Sequence, residues 1–250
     1  MTIEPPRKLA VLSDIHGNLH ALQAVLAKID AMALSDVVCC GDVVGYGAFP
    51  NECCELLQQR GIPTLAGNHD HAAIGLTDIR YFNDIAKTAV VWTRDQLSAA
   101  NADWLAERPY TYLHAENLFF VHASPHKPEE WGYVLTYGDA RQSFAEFDQR
   151  FCFIGHSHQP AVVVQRDGEL FCHDEAGSEI PIREGERYLI NVGSVGQPRD
   201  RNPLACLVVV DFDGPHIDFH RIEYDIPAAQ QAILQAGLPP ELAERIAHGW

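Results

Sequence analysis

The sequence predicts an α/β fold, and three observations carry that reading. Apolar strand-like runs alternate with amphipathic helical spacing through the first part of the chain. Five such runs end abruptly in polar clusters. Further along, short β-rich runs punctuated by Asp-Gly pairs replace the alternation. A β-α-β-α-β order argues for a parallel sheet with helices packed on it.

Taken in order, Lys8-Leu9-Ala10-Val11-Leu12 reads as a buried strand that stops at Ser13-Asp14-Ile15-His16-Gly17-Asn18. Leu19, Leu22, Val25, Leu26 and Ile29 then recur at three- and four-residue spacing, which marks an amphipathic helix. Asp36-Val37-Val38-Cys39-Cys40 is a second strand, ending in Gly41-Asp42 and Gly45-Tyr46-Gly47. A helix from about Pro50 to Arg60 stops at Gly61. Thr64-Leu65-Ala66 is the third strand and leads into Gly67-Asn68-His69-Asp70, residue types that turns favour. A helical region is expected over 81–107. Leu118-Phe119-Phe120-Val121 runs into His122 and, after a short helix near 139–147, Phe151-Cys152-Phe153-Ile154 runs into Gly155-His156-Ser157-His158.

Beyond that point Ala161 to Gln165, Glu169 to His173, Arg187 to Asn191, Leu204 to Val210 and His216 to Arg221 read as strands of a largely antiparallel sheet. Asp167-Gly168 and Asp213-Gly214 supply hairpin signals. Two helices near 227–235 and 239–247 close the chain, with Pro227 and Pro239-Pro240 at their starts. With no repeat or linker visible, residues 1–250 are expected to form a single domain.

Composition narrows the function. A chain of 250 residues, 47% hydrophobic, can bury one substantial core. No run reaches the roughly 18 apolar residues of a membrane span. Met1-Thr2-Ile3-Glu4-Pro5-Pro6 lacks the charge and apolar block of a signal peptide. The seven cysteines include no C-x-x-C pair, and Cys39, Cys40, Cys152 and Cys206 sit in apolar runs, as expected of reduced thiols in a cytoplasmic protein. A formal net charge of -16 argues against general nucleic-acid binding, which needs a basic footprint. It leaves a small phosphorylated substrate open if a cation supplies local positive charge. The oligomeric state stays open, including a homo-oligomer.

The polar clusters supply that chemistry. If the five runs lie side by side in one sheet, their ends place Asp14, His16, Asp42, Asn68, His122, His156 and His158 on one rim, where α/β sheets bind ligands. Alternate residues of an extended segment, as in His156-x-His158, face one centre. Oxygen and imidazole donors without thiolate suit manganese, iron, zinc, nickel or cobalt. Seven donors exceed the needs of one ion; one bridging carboxylate gives each of two ions four protein ligands.

The ordered set Asp14-x-His16, Gly41-Asp42, Gly67-Asn68-His69-Asp70, His122 and Gly155-His156-x-His158 resembles the calcineurin-like metallophosphoesterase superfamily over Lys8 to about Leu207. Asp14-Ile15-His16-Gly17-Asn18, Gly45-Tyr46-Gly47 and the stretch from Asn191 to Arg199 resemble its small bacterial phosphodiesterase-like branch. The resemblance implies a four-layer α/β/β/α sandwich of two mixed sheets flanked by helices. It also implies two divalent metal ions, manganese first. Asp14, His16 and His158 would hold one ion, Asn68, His122 and His156 the other, and Asp42 would bridge them. His69 would protonate the leaving oxygen, with Asp70 holding its imidazole.

Elementary chemistry agrees: paired ions lower the pKa of a shared water, present a hydroxide in line with phosphorus and neutralise charge on the phosphoryl oxygens. The expected reaction is hydrolysis of a phosphomonoester or phosphodiester, with a small or nucleotide-like substrate. Dinucleoside-polyphosphate or protein phosphatase activity is the alternative within the superfamily, and a non-catalytic metal-binding scaffold the alternative outside catalysis. An amidohydrolase would carry an early H-x-H and a metallo-β-lactamase-like enzyme an H-x-H-x-D-H run; neither is present. Asn18, Arg199 and Tyr46 are candidate substrate contacts, set against a helix cap for Asn18 and a surface ion pair for Arg199. His126 is a further candidate for the pocket wall. The remaining seven histidines have no motif context and read as structural.

Overall fold

The computed structural model describes residues 6–174 and 179–250, so the amino-terminal stretch weighed above as a signal peptide lies almost wholly outside the described residues. The first half contains β1 (Lys8–Leu12), α1 (Leu19–Ala31), β2 (Val37–Cys39), α2 (Pro50–Gln59), α3 (Asn68–Ala73), α4 (Asp84–Gln96), α5 (Ala99–Ala106), β3 (Thr111–His114) and β4 (Leu118–Val121). Next come α6 (Tyr137–Phe144), β5 (Phe151–Ile154), β6 (Ala161–Arg166), β7 (Glu169–Asp174), β8 (Ile180–Pro181) and β9 (Arg187–Asn191). β10 (Ala205–Asp211), β11 (His216–Ile222), α7 (Ile226–Gln235) and α8 (Pro240–His248) complete the chain.

Two mixed sheets stack face to face. The first runs β2-β1-β10-β11-β8 and the second β3-β4-β5-β9-β6-β7. β1 is parallel to β2 and antiparallel to β10, while β4, β5 and β9 are mutually parallel neighbours. Successive side chains of a strand point to opposite faces, and β1 uses both. Leu9 and Val11 enter the core between the sheets, with Phe120, Phe153, Ile190 and Val208. Ala10 and Leu12 pack outward with Leu22, Val25 and Ile29 of α1 and Leu57 of α2. On the far side, Val121, Cys152 and Leu189 meet Phe144 of α6. The result is the four-layer α/β/β/α sandwich. It also explains why β1, β5 and β10 read as unbroken apolar runs: strands covered on both faces lose the in-out alternation.

The distribution of strands differs from the one-sheet expectation. β1 and β2 belong to the first sheet and β4 and β5 to the second. The run at 64–66 joins the first sheet only through an isolated parallel bridge between Thr64 and Cys39. The strands of the second half likewise divide between both sheets, and the pairing of β9 with β5 is parallel. Apolar patterning reports burial, not pairing partners, so the division was invisible in the sequence. The helical region at 81–107 is two helices, because Ser98 caps α5 by accepting from the Asn101 amide at 3.2 Å. The Asp167-Gly168 hairpin forms as expected: Arg166 pairs with Glu169, and both loop residues have positive φ, 50° and 81°. Among the described residues no helix is long and apolar enough to cross a membrane.

The inter-sheet core holds the two strand systems in register. Phe120 and Phe153 are fully buried there with ring centroids 4.8 Å apart. Replacing Phe153 with Ala is expected to cost about 3–5 kcal/mol and to lower Tm by roughly 6–20 °C in calorimetry, at about 2–4 °C per kcal/mol for a chain of this size.

Candidate metal centre

Both sheets present their strand ends at one rim, and there the backbone leaves ordinary geometry. Asp14, His16, Asp42, His156 and His158 all have φ between 51° and 66°. Non-glycine residues in this left-handed region cost about 1–3 kcal/mol each and persist only where the surroundings over-determine them. The surrounding hydrogen bonds do so. The Asp14 amide donates to Gly41 O at 3.0 Å and the His16 amide to Asp42 O at 3.0 Å. From the stretch after β9, the Val195 and Gly196 amides donate to the carbonyls of Ser13 and Asp14, both at 2.9 Å. His156 and His158 are therefore not alternate residues of an extended segment. Two left-handed turns aim them at different neighbours.

The side chains form two groups that share Asp42. Asp14, His16, Asp42 and His158 bring donor atoms within 4.8 Å of one another, as do Asp42, His122 and His156. Asp42 Oδ2 lies 3.5 Å from His16 Nε2 and 3.4 Å from His122 Nε2. His158 Nε2 lies 3.2 Å from Asp14 Oδ1, and Asn68 Oδ1 is 3.2 Å from His122 Nε2. All seven residues are buried.

The outward atoms are tied to protein. Imidazole Nδ1 of His16, His122 and His158 lies 3.1, 2.9 and 2.6 Å from the carbonyls of Val44, Cys40 and Gln197. As Nδ1–H donors they leave each Nε2 lone pair facing inward, the arrangement that orients histidine ligands. Asp14 Oδ2 accepts from the His156 amide at 3.0 Å and Asp42 Oδ1 from the His69 amide at 2.8 Å. The inward atoms Asp14 Oδ1, Asp42 Oδ2 and His156 Nε2 are buried with no hydrogen-bond partner among the described residues. Buried polar atoms are rarely left unpaired, so this inward-facing set fits divalent cations.

Protonation follows from the same packing. Burial works to raise the carboxyls of Asp14 and Asp42, yet the histidines beside them, His158 and His122 foremost, hold both well below the usual carboxylate range. Burial pushes His16 down and His156 down to about 3. For His122 burial is outweighed by the Asp42 carboxylate, which lifts the ring to about 9, so a cation at its Nε2 would take the place of a proton.

Gly67-Asn68-His69-Asp70 proves to be the start of a helix. Gly67 is its N-cap with φ -115°, so glycine is not needed for backbone freedom. It is needed for space: a Cβ there would fall inside contact distance of Asp42 Oδ1 and of the Asp42 amide. The helix also corrects the role expected of Asp70. Adjacent residues of a helix diverge, and the Asp70 carboxylate accepts from the Val44 and Gly67 amides at 3.0 and 3.1 Å. It does not hold the His69 ring, whose Nδ1 has no partner among the described residues. Burial, with Asp42 nearby, raises Asp70 to about 7. The His69 ring packs against Tyr46, His16 and Phe82 at centroid distances of 4.4, 4.9 and 5.1 Å. Burial lowers it to about 4.

Of the three expected substrate contacts, Tyr46 reaches the site, its ring 4.7 Å from that of His16. Arg199 lies over the Tyr46 ring at 5.9 Å and donates to Gln197 Oε1 at 3.0 Å. No carboxylate pairs with it among the described residues, so the surface ion pair does not form. Asn18 is the helix cap: its Oδ1 accepts from the Ala21 amide at 3.1 Å and its Nδ2 donates to Gly196 O at 3.0 Å. Both ends of that amide are committed. His126 is paired with Glu146 at 2.6 Å, outside the cleft wall. Sequence reasoning missed Trp131 and Tyr133, which line a cleft of about 320 Å³ beside Asn68, His69 and His156. Tyr133 stacks on His156 at 4.0 Å. Neither lies next to a ligand in sequence, so no motif flagged them. A third cluster, Glu179, His216 and Asp218, lies in partly exposed surroundings, its imidazole already bonded to Asp218 and to Gly214 O.

Residues 8–214 match the family model described as the calcineurin-like phosphoesterase superfamily domain. An uncharacterised protein of Methanocaldococcus jannaschii, MJ0912, is 37% identical over 249 residues, covering 95% of this chain and 96% of that one. A solved metallophosphoesterase from Sphaerobacter thermophilus is 37% identical with a TM-score of 0.84, covering 97% of this chain and 99% of that one. Hypothetical protein PH1004 of Pyrococcus horikoshii shares the fold with a TM-score of 0.75 at 20% identity, over 97% of this chain and 98% of that one.

Gly67→Ala is expected to displace the Asp42 carboxylate while leaving the sandwich folded. Isothermal titration with Mn²⁺ should read an affinity at least about tenfold weaker, the scale of losing a group that supports a ligand, with an unchanged far-ultraviolet dichroism spectrum.

Proposed function

Because the chain belongs to the calcineurin-like phosphoesterase superfamily, we propose that it is a metal-dependent hydrolase of phosphomonoesters or phosphodiesters with a small or nucleotide-like substrate. The observation that carries this reading is the convergence of unpaired, buried Asp14 Oδ1, Asp42 Oδ2 and His156 Nε2. In this proposal Asp14, His16 and His158 hold one divalent ion, Asn68, His122 and His156 a second, and Asp42 both, with manganese the first candidate. Bound ions supply Lewis acidity, lowering the pKa of water and offsetting charge on the phosphoryl oxygens.

The chain's own residues do the rest. His69 faces the same space as Asn68 and Tyr46 without being spent on another partner, and it protonates the departing alkoxide. Its low pKa in the free protein leaves the ring neutral near pH 7. An incoming phosphate anion favours the charged imidazolium and raises that pKa toward the working range. Asp70 acts at one remove, by pinning the loops at Val44 and Gly67 that carry the site. Arg199, free of an acidic partner, is available to a phosphoryl oxygen. Six buried thiols in the apolar layers are consistent with a reducing cytoplasm, the location we propose. The acidic balance offers no basic track for nucleic acid.

The test is a panel of p-nitrophenyl phosphate, bis-p-nitrophenyl phosphate, dinucleoside polyphosphates and phosphoproteins with Mn²⁺ added. Turnover of at least one phosphoester is expected, and no turnover with both sites filled would overturn the proposal. His69→Ala should lower kcat on a substrate with an alkoxide leaving group by about 10²–10⁴-fold, the usual worth of a positioned acid, with metal content unchanged by elemental analysis. An equally active variant would remove His69 from the chemistry.

A further inference from the structure

We infer that the cleft beside His69 receives an uncharged nucleoside as leaving group, so that the preferred substrates are phosphoesters whose departing alcohol carries a nucleobase. This rests on the phosphoesterase reading above and adds the substrate class to it.

The cleft, about 320 Å³, opens between the starts of α3 and α4 and the stretches that carry Tyr46, Tyr81, Trp131 and His156. Its position fixes which half of a substrate it holds. A leaving group departs toward its proton donor, and His69 lines this cleft together with Asn68 and His156. Its walls fix the chemistry of that half. Tyr46, Tyr81, Phe82, Trp131 and Tyr133 all line it, yet Tyr81 is 91% exposed and Tyr133 49% exposed. Large aromatic faces held toward water at a site entrance are platforms for a flat ring, because every nucleobase offers a π-face.

Two local devices fix the backbone that carries two of these rings. Tyr81 ends a short 3-10 turn in which the Arg80 amide donates to the Asp78 carboxylate at 2.9 Å. Trp131 follows a second such turn with φ 55°, a left-handed conformation rare for so bulky a residue. Its ring is braced by His71 and Tyr110 at 5.3 and 5.4 Å. The acid in the wall disfavours an anionic occupant. Among the described residues the cleft wall itself holds one charged side chain, Glu130, an acid paired with Lys127 at 2.9 Å, while Arg199 stands over the ring of the lining residue Tyr46 at 5.9 Å. A nucleotide or polyphosphate leaving group would bring negative charge against Glu130. A neutral nucleoside meets no such cost.

The step is a hydrolysis in which a water oxygen bonds to phosphorus and the bond from phosphorus to the nucleoside oxygen breaks. His69 supplies the proton to that oxygen, and the proton lost by water returns to solvent.

The test deletes the base and nothing else. 5′-AMP is compared with ribose 5-phosphate, and deoxyadenylyl-deoxyadenosine with the same diester whose leaving deoxyribose lacks its base. The base-bearing member of at least one pair should show kcat/KM about tenfold or more higher, the scale of stacking one base. Tyr81→Ala, a change at an exposed position, should erase most of that advantage, lowering kcat/KM on the base-bearing member of the pair more than on the base-free one. Equal rates within both pairs would overturn the inference and leave the phosphoesterase reading standing. Adenosine binding to the metal-free protein, measured by calorimetry in wild type and Tyr81→Ala, gives an independent readout. If neither pair is hydrolysed although another ester of the panel above is, the inference is overturned; if no phosphoester at all is hydrolysed with metals loaded, the phosphoesterase reading fails. Binding that weakens in the variant would then still support the cleft assignment, and absent or unchanged binding would overturn it.

Discussion

The Asp42 carboxylate is carried into fully buried surroundings, where an uncompensated charge costs several kcal/mol. One oxygen is met by the His69 amide; the other faces His16 and His122 from a junction between two groups of donors. That one side chain links the end of β2, the start of α3 and the ends of strands from both sheets. The neighbouring histidines keep it charged against burial. Much of the local structure answers this requirement: left-handed turns aim the donors inward, and backbone carbonyls hold the outward nitrogens.

The architecture makes the junction possible. Stacking two mixed sheets around Phe120 and Phe153 brings strand ends from separate sheets to one rim, which a single sheet would spread along its edge. The glycines at the rim then serve close approach. Gly67 has no room for a Cβ because Asp42 occupies that space, and Gly155 none because the Ser13 hydroxyl and the Asp14 carboxylate do. The motif Gly67-Asn68-His69-Asp70 is thus a helix start shaped around Asp42.

The alternation of strands and helices in the first half, the continuous apolar runs and the seven donors were legible in the sequence because burial on both faces and abrupt polar ends leave local marks. What was not legible depends on distance along the chain. The assignment of β4 and β5 to a different sheet from β1 and β2 is set by long-range pairing that no local pattern encodes. The separation of Asp70 from the His69 ring follows from a helix begun at Asn68, where the turn-like composition concealed helical geometry. Asn18 was equally balanced between cap and contact until Gly196 was seen to take its amide. Trp131 and Tyr133 carried no motif at all, and only the folded cleft brings them beside His69.

The central claim is that one carboxylate serves two cation positions. Equilibrium dialysis against Mn²⁺, with ions per chain counted by elemental analysis for wild type and Asp42→Asn, tests it most directly. The account expects two ions in the wild type and a variant that, still folded, keeps at most one at the same free Mn²⁺. An Asp42→Asn protein that retains two ions with wild-type affinity would contradict it.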